Sequence, residues 1–411
     1  MRAFLAPHPR RRRLGGADGE APGPTFGSRP EEGYGPGVLK IHWFLPTGGD
    51  SRDVLPGDAG APARAPTLDY LTQVARAADQ LGFGAVLTPC GTGCEDAWIT
   101  TSYLAAQTRR LQFLVAMRPG LISPTLAAQM ASTHQRLSGG RVLINIVTGA
   151  EPTELARFGD RADKATRYAR TAEFIEVMKG AWGATPLDHV GEHYDVSAAT
   201  TRVAPDPVPE VYFGGASSDA EDVAARTADV YLAWGEPPSM LAERVERMRR
   251  LAAEAGRTLR LGIRFHAIAR PTSAEAWAEA DRLLAGMPPE AIAAARADFA
   301  ATQSEGQRRM AELHAGADAL DRATLEIHPN VWAGVGLVRG GAGTALVGSF
   351  EEVADRIEEY ADLGFEEFIL SGYPHLEEAW WVGEGVLPIL RARGRLAALD
   401  DVAPDPTFHF R

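Results

Sequence analysis

Residues 38–45, VLKIHWFL, are a short, nearly continuous apolar run, too brief for an ordinary helix and without the alternation of a strand that wets one face. Such a run reads as a strand buried on both sides. Seven more follow: GAVLTP (84–89), LQFLVAM (111–117), RVLINIVTG (141–149), VYFGG (211–215), DVYLAW (229–234), RLGIRFHAIAR (260–270) and EEFILSG (366–372). Each is followed by sequence with helical spacing, as in Leu68, Leu71, Val74, Ala77, Ala78 and Leu81. Doubly buried strands alternating with helices imply a parallel sheet, and eight such units close a barrel. The expected fold is therefore α/β, a (β/α)8 TIM barrel over residues 38–399, with a long insertion at about 273–348 between the seventh and eighth strands.

The flanks read differently. Residues 1–37 hold the run Arg10–Arg13 followed by Gly, Pro, Glu and Asp with almost no apolar periodicity, which reads as a disordered extension or an early start codon; 400–411 reads as a tail. A net charge of −12 over 411 residues argues against nucleic acid or a membrane surface as partner. No window offers the ~20 apolar residues of a membrane span, and the arginines of the first segment precede no apolar signal core, so a cytoplasmic location is expected. Cys90 and Cys94 are the only cysteines, too few for a disulfide framework or a zinc site. No metal is expected.

Function in such a barrel gathers at the carboxyl ends of the strands. There the sequence places Cys94 after the second strand, Trp234 at the end of the sixth, Arg264 and His266 inside the seventh, and Tyr373 and His375 after the eighth. Arg264 and His266, two apart, share one face of a strand. They read either as functional groups or as a structural pair tied to neighbouring carboxylates. Tyr373 sits between Gly372 and Pro374 and reads as a proton donor or as a core cap. Beside Glu95 and Asp96, Cys94 is a poor thiolate; it reads as a hydrogen-bonding thiol or a small buried hydrophobe.

For a phosphate-bearing cofactor, Gly215, Ser217 and Ser218 stand at the entry of a helix, where free N–H groups suit an anion as well as an ordinary serine cap. Lys164 and Tyr168, one helical turn apart on the same face of an earlier helix, are a second candidate, and Thr148 closes the fourth strand. No GxGxxG follows the first strand and no P-loop occurs, against nicotinamide dinucleotide and ATP. The stretch NVWAGVGLVRGGAGTALVG (330–348) carries six glycines and one charge, Arg339. It reads as a mobile lid or a surface linker. Its place before the eighth strand favours the lid, which is expected to contribute little core.

These stretches, with WFLPT (43–47), CEDAW (94–98), RPGLISPTLAA (118–128), WGEPP (234–238), GIRFH (262–266) and SGYPHLEEA (371–379), closely resemble the FMNH2-dependent alkanesulfonate monooxygenases of the bacterial luciferase-like superfamily. The resemblance runs from about Val38 to Pro388. It implies reduced FMN supplied by a separate NAD(P)H-dependent FMN reductase, O2 as co-substrate, and cleavage of a small anionic sulfonate to an aldehyde and sulfite by a homotetramer. It also implies that Arg264, His266, Cys94, Trp234, Tyr373 and Arg339, with His375 close by, occupy active-site positions. Two departures are Gly48 and Lys164, where relatives often have histidine. Alternatives are a relative acting on methanesulfonate, a sulfone or another substrate, a deazaflavin-dependent dehydrogenase, and a non-catalytic flavin-binding barrel.

Overall fold

The computed structural model describes residues 37–55, 63–314 and 321–399; apart from Gly37, the proposed extension 1–37 and tail 400–411 lie outside the described residues. Strands β1 (Lys40–Phe44), β2 (Ala85–Thr88), β3 (Gln112–Met117) and β4 (Val142–Ile146) are followed by an outlying antiparallel pair, β5 (Leu187–Val190) and β6 (Asp195–Ala199). Next come β7 (Val211–Gly214), β8 (Val230–Trp234), β9 (Arg260–Arg264) and β10 (His266–Arg270), then β11 (Glu326–His328), β12 (Val331–Trp332), β13 (Ala345–Ser349) and β14 (Glu367–Leu370). The closed barrel runs β1-β14-β9-β8-β7-β4-β3-β2, all neighbours parallel. Its eight strands are the eight apolar runs.

The strand period of two sorts side chains between two cores. Trp43, Phe113 and Phe213 point outward into the layer shared with the helices, whereas Phe44, Leu114, Tyr212 and Ile369 fill the barrel interior. Helices start where their caps are: Ser123 accepts from Leu126 N ahead of Pro124, and Ser349 makes a capping box with Glu352. The polar residues inside strands that lie toward their amino ends form one buried knot, in which Glu367 pairs with Lys40, His42 and Arg260 and accepts from Tyr212. Burial pushes the Glu367 carboxyl up, but those three partners together hold it well below the usual carboxylate range. That knot sits at the end of the barrel concerned with stability.

The seventh run, RLGIRFHAIAR, is not one strand. It breaks at Phe265: β9 stays in the barrel, and β10 leaves it to head a second sheet ordered β10-β13-β12-β11. The backbone hydrogen bonds record the switch, with Phe265 N donating to Ile369 O (3.0 Å) and His266 N to Thr344 O (2.8 Å). Arg264 and His266 thus belong to different sheets rather than to one face of one strand.

The glycine stretch also departs from expectation. It supplies β12, a 3-10 turn (Gly334–Leu337) and β13, and Trp332, Val335, Leu337, Ala345 and Val347 are fully buried in a core shared with Trp277 and Leu283 of the insertion helix Ser273–Ala285. Its glycines are there for close approach. A Cβ on Gly343 would lie 2.6 Å from Gly336 Cα, and one on Gly334 would lie 2.0 Å from the Trp332 ring. The expectation that this stretch contributes little core is corrected; only the tip at Arg339–Gly341 stands clear of it.

Candidate active site

The carboxyl ends of β4, β7, β8 and β9 open onto a cavity of about 260 Å³. Thr148, Lys164, Tyr168, Gly215, Ser217, Trp234 and Arg264 all line it, from seven separate positions along the chain. Ser217 caps the helix Ser218–Thr227 by accepting from Ala220 N, and Tyr231 donates to Gly215 O at 2.6 Å. Gly215 has φ 152°, and a Cβ there would lie 2.6 Å from Ala220 Cβ and 3.7 Å from the Tyr168 hydroxyl, so the turn leaves bare backbone beside Tyr168. Lys164 heads the helix Lys164–Gly180. Ser218, one residue further along its helix, is exposed and outside the lining.

Insertion residues Gln303–Gly306 roof this cavity. A Cβ at Gly306 would lie 2.9 Å from the Trp234 ring, so the roof lies directly on that indole. Glu236, also in the lining and 1% exposed, accepts from Arg309 and Arg244. Sequence reasoning missed both Glu236 and the roof, which become significant only once the insertion folds back.

Next to the cavity lies a polar cluster centred on Arg264. Its Nη2 donates to Ser371 Oγ at 3.4 Å, and its guanidinium stands 4.2 Å from the Phe44 ring centre. Ser371 Oγ is 2.9 Å from His266 Nδ1, and His266 Nε2 is 3.1 Å from Ala342 O. A carbonyl only accepts, so Nε2 carries the proton and Nδ1 accepts from the serine. Burial, with Arg339 and Arg264 adding to it, keeps His266 neutral by lowering its pKa far below the usual value. Tyr373 stacks on that imidazole (5.4 Å, 18°), and burial raises its phenol.

His375 is fixed by a residue the sequence did not single out. Asp50 accepts from His375 N (2.8 Å) and Nδ1 (2.9 Å) and from the Tyr70 hydroxyl. Burial lowers His375 more than Asp50 raises it; with Nδ1–H committed to Asp50, the ring presents Nε2, buried and without a protein partner among the described residues, as a proton acceptor. Asp50 lay in a Gly/Pro/Asp-rich loop where nothing distinguishes it from its neighbour Asp53.

Arg339 reaches this cluster from the tip of the glycine stretch. Its guanidinium is 5.9 Å from the Phe44 ring centre, on the same ring as Arg264, and its charge opposes the rise that burial gives the Tyr373 phenol. Among the described residues neither arginine has a carboxylate partner, and Arg264 Nη1 is buried without any. Burial first, and Arg339 second, push Arg264 down to about 9. Cys94 is set apart: it lines a second cavity with Cys90, Trp98 and Arg118, lies against Thr47, and burial raises its thiol. That agrees with a thiol rather than a thiolate.

Residues 39–367 match the luciferase-like monooxygenase family, and the chain belongs to it. Solved structures with the same fold include DmoA from Hyphomicrobium sulfonivorans, 21% identical with TM-score 0.71 over 88% of this chain and 89% of that one. The EDTA monooxygenase EmoA from Chelativorans sp. BNC1 is 20% identical with TM-score 0.70, covering 89% and 98%. A coenzyme F420 dependent tetrahydromethanopterin reductase from Methanopyrus kandleri is 16% identical with TM-score 0.60, covering 86% and 99%.

Proposed function

We propose that this protein is a two-component monooxygenase that uses reduced FMN and O2 to convert small alkanesulfonates to aldehyde and sulfite. The observation that carries the reading is the pair Arg264 and Arg339. Two guanidiniums share one aromatic ring with no carboxylate partner among the described residues, and one is buried with an N–H that has no partner among them. An uncompensated buried charge is costly. A sulfonate, with three acceptor oxygens and one charge, would satisfy both arginines.

The first cavity fits FMN by the chemistry of its lining. Lys164, the Tyr168 hydroxyl, Ser217 and the bare backbone at Gly215 would hold a phosphate, with Trp234 and Arg264 toward the ring. When bound, reduced FMN supplies the electrons that activate O2. The protein's own groups do the rest: Arg264 and Arg339 hold the anion, the His375 Nε2 accepts a proton, and Tyr373 steadies developing negative charge. The Trp332 and Leu337 core under the stretch anchors the tip that carries Arg339, and a tip closed over the bound anion would exclude water. A separate NAD(P)H-dependent FMN reductase, assembly as a homotetramer and a cytoplasmic location belong to this proposal, on the strength of the sequence resemblance.

The test supplies purified protein with FMN, NADH and a flavin reductase and measures sulfite from a series of alkanesulfonates. Sulfite from several chain lengths is expected. None from any of them defeats the proposal, and release from methanesulfonate alone would move it to a different substrate.

A further inference from the structure

The arginine at the tip and the roof of the first cavity are joined through one buried amide. Gln307 is 5% exposed and lies one residue beyond the roof segment that packs on Trp234. Its Oε1 accepts from Gly341 N at 2.9 Å. Gly341, with φ 91°, is two residues past Arg339, and Arg339 Nη1 donates to Gly340 O at 3.2 Å. On the other side of the tip, Ala342 O accepts from His266 Nε2. The tip is thus clamped at two consecutive residues, by the roof helix on one side and by the site histidine on the other.

The same helix is held to the cavity a second way. Arg309, two residues past Gln307, donates to Glu236, which lines the cavity. The helix Glu305–Glu312 therefore touches cofactor space at Gly306 and through Arg309, and touches the Arg339 tip at Gln307. Residues 306, 307 and 309 of one helix turn move together, because a helical turn is stiff.

We infer that Gln307 is a positioning residue: its side-chain carbonyl ties the Arg339 tip to the roof of the first cavity, so that cofactor held under the roof steadies the anion-holding guanidinium. The inference rests on the proposed anion role of Arg339 and deepens it. Only the carbonyl oxygen takes part in the contact, so glutamate, which keeps an acceptor there, should substitute, whereas leucine should not.

Two readouts test this. The first is limited trypsin cleavage after Arg339, followed by mass spectrometry with and without FMN. In the parent chain FMN should slow that cut at least ~5-fold; Gln307→Leu should abolish the protection while FMN still binds within ~2-fold by fluorescence quenching, and Gln307→Glu should restore it. The second is a double-mutant cycle on 1-octanesulfonate affinity, measured calorimetrically in the presence of FMN. Gln307→Leu should weaken binding ~10-fold in the parent and under ~2-fold in an Arg339→Ala background. Protection that survives Gln307→Leu, or equal losses in both backgrounds, overturns the inference. Absence of any octanesulfonate binding by the parent would count against the sulfonate reading alone, because the proteolysis result decides the coupling without it.

Discussion

Arg264 should make the protein less stable than it could be, and replacing it with methionine tests this. The side chain is 7% exposed, sits on Phe44 and has no ion-pair partner among the described residues. Its charged form is disfavoured by burial first and by Arg339 second, which brings it down to about 9. Each pH unit of depression corresponds to ~1.4 kcal/mol, so the guanidinium, still charged at neutral pH, costs the folded state about 4–5 kcal/mol at most. Methionine keeps the packing volume but loses the Ser371 hydrogen bond and the contact over Phe44. A net gain of about 1–3 kcal/mol in unfolding free energy is expected at pH 7. A folded-state pKa below the unfolded one means that the unfolded chain binds more protons between the two. The cost is therefore full below about 9 and fades as pH rises through that value toward the ordinary arginine range. Urea unfolding at pH 7 and again near pH 10, with and without an alkanesulfonate, is the assay. The variant's advantage should shrink at the higher pH, and sulfonate should stabilise only the parent. A variant less stable than the parent, or one that keeps the full sulfonate response, would refute the reasoning about an uncompensated charge.

Two further outcomes are expected. Asp50→Ala removes the acceptor for both His375 and Tyr70 and should cost about 2–4 kcal/mol by denaturant unfolding. Burial raises the Asp50 carboxyl but His375 and Tyr70 bring it below its usual value; its contribution is therefore present above the ordinary carboxylate pKa and lost as pH falls through the folded one, which a pH series of parent and variant reads directly. Gly343→Ala places a Cβ 2.6 Å from Gly336 Cα, backbone against backbone, and should cost about 2–4 kcal/mol by the same measurement, whereas Gly93→Ala, with nothing within 4 Å, should leave stability unchanged.

The barrel was legible because its signal is local and repeated: eight buried strands must be apolar on both faces, and each apolar run declares itself over a few residues. The break at Phe265 was not, since β9 and β10 read as one continuous strand until the partners Ile369 and Thr344 are known. The glycines of 330–348 misled for a related reason. Glycine marks flexibility and close approach alike, and only the crossing of Gly336 with Gly343 tells which. Arg264, His266, Tyr373, His375 and Arg339 were all named from sequence, and the structure gathers them in one cluster, with Cys94 nearby on a separate cavity. Asp50 and Ser371 in loops, and Gln307 on a short helix, escaped because a lone acceptor carries no pattern until its donor, far away in the chain, is in place.

The fork after Arg264 divides the working parts between two pieces of architecture. Trp234 and Arg264 hang on the barrel, while His266 and Arg339 hang on the small sheet and the stretch that feeds it. The small sheet is built largely from the insertion and is separate from the closed barrel in its strand pairing, although Val331 and Leu346 pack into the barrel's outer core. Exchanging β11 to β13 together with the insertion helices would therefore alter the Arg339 side of the cluster and the Gln303–Gly306 roof of the first cavity at once, while Trp234, Arg264 and the eight barrel strands stay as they are.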